Sequence, residues 1–101
     1  MADLQVAQTI LDQMGGTRRI SLMVGASGFI GDTCSVQFSF KGSRKMNKII
    51  VKLNEWDTYD IEFWKINARK GEFTRVSEAR DVYFDQLISV FESETGLYLS
   101  L

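Results

Sequence analysis

The chain has 101 residues, 45% hydrophobic and 25% charged, with 12 Lys+Arg against 13 Asp+Glu and a formal charge of −1. A chain of this length buries roughly two thirds of its unfolded surface, enough for a single domain over residues 1–101 with a core of its own. The near-neutral balance excludes a generally basic nucleic-acid binder, the single cysteine (Cys34) excludes an intramolecular disulfide, and the lack of histidine removes the commonest general base and metal ligand.

No apolar run approaches the roughly 18 residues that span a bilayer. The opening Met-Ala-Asp-Leu-Gln carries neither the basic nor the apolar region of a leader, which predicts a cytoplasmic protein without membrane contact. There is no proline, no repeat and no low-complexity tract to mark a linker.

The first element is helical. Leu4, Ala7, Ile10, Leu11 and Met14 follow the spacing of an amphipathic helix over Asp3–Met14, with Asp3 as cap and Gly15-Gly16 as stop. The period then changes to two. Ile20, Leu22 and Val24 alternate with Arg19, Ser21 and Met23 and predict a first strand; Val36, Phe38 and Phe40 predict a second. Ile49, Val51 and Leu53 predict a third, and Tyr59, Ile61 and Phe63 a fourth. A fifth is placed around Glu72–Val76, after a turn at Asn67–Gly71. From Glu78 to Thr95 the apolar stripe Tyr83, Phe84, Leu87, Ile88 and Phe91 predicts a helix ended by Gly96. The tail Leu97–Leu101 is expected to pack back on the sheet. The expected fold is α+β: an N-terminal helix, a four- or five-stranded antiparallel sheet and a C-terminal helix, in two layers.

Residues 24–31, Val-Gly-Ala-Ser-Gly-Phe-Ile-Gly, resemble the glycine-rich turn of the extended short-chain dehydrogenases. Such a turn binds a dinucleotide pyrophosphate only between a strand and a helix. Here the following residues, Asp32–Phe40, alternate with strand period, and no Tyr-x-x-x-Lys pair occurs. A hairpin connection using Gly25, Gly28 and Gly31 is expected instead; dinucleotide binding through residues 25–31 is the outside alternative, and no cofactor is assigned.

Charge is unevenly laid out. Between Thr33 and Leu53 there are five basic residues (Lys41, Arg44, Lys45, Lys48 and Lys52) and no acid; Glu55, Asp57, Asp60 and Glu62 follow without a base. The acids with Trp56 and Trp64 make one candidate surface, for a basic protein partner. Lys41, Arg44, Lys45 and Lys48 make the alternative, a hairpin that binds nucleic acid. Asp60 and Glu62 share a solvent face and suit a divalent ion or acid/base work, or a plain solvated strand; no metal is assigned. Cys34 has no partner to activate it, so catalysis is not expected. Ile50, Trp64, Ile66 and Met23 share the parity opposite the core. They predict an apolar patch that marks a partner or homodimer contact, unless a loop or the C-terminal tail covers it.

Taken together, Ile10-Leu11-Asp12-Gln13-Met14-Gly15-Gly16, Met23-Val24-Gly25-Ala26 with Phe29, Asp57-Thr58-Tyr59-Asp60-Ile61-Glu62-Phe63, Val82-Tyr83-Phe84-Asp85-Gln86-Leu87 and Thr95-Gly96-Leu97-Tyr98-Leu99-Ser100-Leu101 cover most of the chain. In these the chain resembles a family of small accessory proteins of tailed phages, prophages and plasmids. The resemblance implies a mobile-element protein and transfers no catalytic residue or ligand. Compact acidic phage proteins of this size include inhibitors of host defence, among them anti-CRISPR proteins. The expected role is therefore binding to a host or defence-system protein, through Trp56, Asp57, Asp60, Glu62 and Trp64.

Overall fold

The structure, a computed structural model, describes residues 5–97 and 99. Its elements run α1 (Gln5–Gln13), α2 (Thr17–Val24), β1 (Ser27–Gly31), β2 (Ser35–Ser39), β3 (Lys48–Leu53), β4 (Tyr59–Asn67), β5 (Glu72–Val82), a 3₁₀ turn (Phe84–Gln86) and α3 (Leu87–Thr95). The five strands form one antiparallel sheet in the order β1-β2-β3-β4-β5, each paired with its neighbour in sequence. This is the α+β fold read from the sequence, with five strands.

One sheet face and the helices enclose the core. Val36, Phe38, Ile49, Val51, Ile61 and Phe63 are buried with Ala7, Ile10 and Leu11 of α1, Ile20 and Val24 of α2, and Leu87 and Phe91 of α3. Strict alternation puts these strand residues on one face, so helix cover on that side removes them from water together. Asp3 and Leu4 lie outside the described residues. Gly15 and Gly16 end α1 with φ of 110° and 92°, values costly for a residue with a Cβ. Tyr59 spans the layers, its hydroxyl 2.8 Å from Gln13 Oε1. Burial raises its phenol above the ordinary tyrosine range, and the Gln13 hydrogen bond partly offsets this.

Residues 17–24 are a helix, not the first strand expected from their alternation. Ile20 and Val24 satisfy both periods, being spaced two apart from Leu22 and four apart from each other. The helix buries Ile20 and Val24 and leaves Leu22 77% exposed. A strand would have buried all three. Leu22→Lys should therefore change stability by no more than about 0.5 kcal/mol, and Ile20→Ala should cost about 2–5 kcal/mol. Equal losses in urea denaturation would restore the strand.

The first strand is instead the glycine segment itself. Gly25, at φ 62°, ends α2, and Gly28, at φ 67°, sits in a bulge where Gly28 and Phe29 face Phe38. The bulge turns Phe29 onto the core, 5.1 Å from the Phe38 ring. The segment runs from helix to strand, the reverse of the order a dinucleotide turn requires.

The C-terminal helix is shorter than its apolar stripe implied. Glu78–Val82 continue β5, and Tyr83 and Phe84 stand 60% and 61% exposed before α3 begins at Leu87. Of the expected tail, Leu99 is buried and Leu97 packs against the core; Tyr98, Ser100 and Leu101 lie outside the described residues. Among the described residues, no helix is long and apolar enough to cross a membrane.

Candidate functional site

Antiparallel order sorts the connections by end. The β1–β2 and β3–β4 turns and the exit of β5 share one end of the sheet; the β2–β3 and β4–β5 connections share the other. Because the charges follow the turns, the sheet is polarised along its strands. Glu55, Asp57, Asp60, Asp81 and Asp85 outnumber Lys52 and Arg80 at the first end, and Lys41, Arg44, Lys45, Lys48, Arg69 and Lys70 outnumber Glu72 and Glu94 at the second.

At the acidic end, Asn54 organises the β3–β4 turn. Its side-chain oxygen accepts from the Trp56 N–H (2.9 Å), the Thr58 N–H (3.2 Å) and the Thr58 hydroxyl (3.0 Å). Its amide nitrogen is 2.8 Å from Thr58 Oγ1, 3.1 Å from Asp60 Oδ1 and 3.3 Å from Asp81 Oδ1. An amide supplies both donor and acceptor, so one side chain ties two strands to their turn. Two left-handed residues flank it, Asp57 at φ 60° and Asp81 at φ 54°. Asp81 lies in a bulge where Arg80 and Asp81 together face Asp60, and its N–H donates to Asp60 Oδ1 (3.3 Å). Aspartate tolerates this conformation better than most residues.

The result is a surface of exposed aromatics among carboxylates. Trp56 is 75% exposed at the tip of a turn bonded to Asp81, two residues before Tyr83 and three before Phe84. Tyr83 and Phe84 were hidden in the sequence by their helix-like spacing to Leu87 and Phe91. The signal against that helix was present in Glu78–Val82, where Ala79 and Val82 are the sole apolar residues.

The five acidic-surface residues expected to act together divide into two groups. Trp56 and Asp57 stand at the turn; Asp60, Glu62 and Trp64 lie on the uncovered face of β4, half-buried. Glu62 accepts from the Trp64 indole N–H (3.1 Å), and Asp60 is held by Asn54. The expected apolar patch on this face is interrupted by charge: Trp64 lies between Lys48 and Arg75 in register, and Ile50 faces Glu62. Met23 does not belong to it, because residue 23 is on α2. Among the described residues, no group of three or more carboxylate or thiol side chains is placed to hold a metal ion. Cys34 is a half-buried free thiol.

Lys41, Arg44, Lys45 and Lys48, expected as one basic hairpin, do share the β2–β3 connection and the start of β3. The turn at Ala68–Gly71 brings Arg69 and Lys70 to the same end. Neither these two nor Tyr83 and Phe84 were among the expected contact residues. No protein-family model, curated protein or solved structure matches the chain.

Proposed function

We propose that the chain is a non-enzymatic protein-binding module that docks its acidic, aromatic end onto a basic protein surface. The supporting observation is the exposure of Trp56, Tyr83 and Phe84 among Glu55, Asp57, Asp81 and Asp85. Aromatic side chains supply large contact area at low entropic cost, and a surrounding field of one sign speeds association with the opposite sign. With the phage-family resemblance, the role is that of a mobile-element protein inhibiting a host defence system such as CRISPR-Cas, by occupying a basic groove of one of its proteins.

Affinity capture from a bacterial lysate, with and without nuclease, tests this. A stoichiometric protein partner is expected to survive nuclease. Trp56→Ala should weaken it by about 2 kcal/mol, roughly 30-fold, and Asp57→Lys should slow association. A partner lost with nuclease, or bound equally by both variants, overturns the acidic-end interface.

The juxtaposition of Lys41, Arg44, Lys45 and Lys48 with Arg69 and Lys70 favours a second function, nucleic-acid binding at the opposite end. Its mark is an affinity that falls steeply with salt; binding indifferent to salt removes it.

A further inference from the structure

The basic end contains a cavity of about 570 Å³ that the protein-binding function does not use. It opens where Gly25, just after α2, and Ser27 of β1 meet Lys41 and Ser43 of the β2–β3 connection. Lys48 of β3, Ile66 of β4 and Phe73 of β5 complete it. Three observations bear on what it holds.

The first is charge. Lys41 and Lys48 both line the cavity, and no described carboxylate does. Ion pairs among the described residues engage Arg75 and Arg80, through Glu78, and neither cavity lysine. In a chain of net charge −1, this is a local excess of positive charge that an anion relieves.

The second is the donor set. Ser27, Ser39 and Lys48 lie in one register row across β1, β2 and β3, and Ser43 approaches from the connection. Lys41 is placed by its own backbone, whose N–H donates to the Val24 carbonyl (2.8 Å). Its stem lies against Gly25, where an added Cβ would meet Lys41 carbons at 3.5 Å. Hydroxyl and ammonium donors lining one cavity suit a tetrahedral oxyanion such as a phosphate group.

The third is the wall. Phe73, 66% exposed, is the register partner of Ile66, and the two form an apolar side next to the polar floor. Asn47 braces it: its side chain donates to the Ile66 carbonyl and accepts from the Ile66 N–H, both at 2.8 Å. Asn47 thus fixes the strand opposite Phe73, and the exposed phenyl offers a face on which a planar ring can stack.

We infer that this cavity binds a nucleoside phosphate, the phosphate between Lys41 and Lys48 with the serine hydroxyls donating, and the base against Phe73. The site does not use a helix N-terminus, so it differs from the dinucleotide turn that the glycine string resembles. It is also independent of the acidic-end interface, which lies at the other end of the sheet.

The test is a titration of the ¹⁵N-labelled full chain, followed by amide shifts, with adenosine monophosphate, adenosine and inorganic phosphate as separate probes. Adenosine monophosphate should give saturable shifts centred on Ser27, Lys41, Ser43, Lys48 and Phe73. Lys41→Ala and Lys48→Ala should each weaken it about 10-fold, while Lys52→Ala, on the same face but outside the cavity, leaves it unchanged. Phe73→Ala should reduce the affinity for the nucleotide toward that for phosphate alone. Unchanged thermal unfolding of the lysine variants separates lost binding from lost fold.

A 5′-phosphorylated oligonucleotide distinguishes a free nucleotide from a strand end. Tighter binding with shifts spreading to Arg44, Lys45, Arg69 and Lys70, competed by the mononucleotide, identifies the strand as the source. Adenosine binding as well as its monophosphate, no shifts at the cavity amides with any probe, or strand binding that the mononucleotide does not compete each overturn the site.

Discussion

Phe91→Ala should remove about 3–5 kcal/mol of stability, moving the urea midpoint by about 2 M for a domain of this size. Phe91 is fully buried, with its ring 5.2 Å from Phe40 in an edge-to-face arrangement (67°) and 6.4 Å from Phe63. With Leu87 it anchors α3 to the core. The loss combines transfer of the ring, the cavity left behind and about 1 kcal/mol of aromatic pairing. Phe84→Ala is the companion measurement. Phe84 precedes α3 and is mostly exposed, so its removal should cost no more than about 0.5 kcal/mol. Comparable losses at 84 and 91 would mean that the helix begins before Phe84 and that Phe84 belongs to the core.

The second large effect is expected at Asn54. Asn54→Ala removes the acceptor for the Trp56 and Thr58 N–H groups and the donor shared by Asp60 and Asp81, and leaves the buried Thr58 with fewer partners. Several partners lost at once, some of them charged, should cost about 2–4 kcal/mol. Asn54→Asp separates the two halves of this role. It keeps the acceptor but places a third carboxylate beside Asp60 and Asp81. It should be at least as damaging in low salt and should recover partly as salt screens the repulsion. A salt-independent deficit in Asn54→Asp would show that like-charge repulsion is not the cause. Because the same amide fixes the backbone under Trp56, Asn54→Ala should also weaken the proposed protein interaction.

The strands β2, β3 and β4 were legible because each alternates apolar and polar residues, and one buried face accounts for that pattern. Residues 17–24 were misread for a reason intrinsic to short segments: Ile20, Leu22 and Val24 fit a strand, while Ile20 and Val24 alone fit a helix. Only burial of the neighbours decides between these. Tyr83 and Phe84 illustrate the converse error, since apolar residues at helical spacing need not lie in the helix. The basic end was visible as a charge run, but its union with Arg69 and Lys70 depends on two turns sharing one end of the sheet. That is a fact of topology rather than of local sequence. The cavity at the basic end was invisible for the same reason, as its walls come from segments between Gly25 and Phe73.

The unbroken strand order also bears on how fast this chain folds. Every strand pairs with the one before it, so each pairing closes only a short loop and the sheet can assemble hairpin by hairpin. The tightest is the β1–β2 hairpin, where three residues separate Gly31 from Ser35 and the Asp32 N–H donates to the Ser35 carbonyl (2.8 Å). Distant ties belong to the helices: Gln13 reaches Tyr59 across 46 positions, and Phe91 returns to Phe40. Closing these demands more chain entropy than any hairpin, so docking of the terminal helices is the assembly step with the largest loop-closure cost. Until they dock, Phe38, Phe63 and their neighbours on the inner face are open to water. That interval is when the chain is most exposed to aggregation.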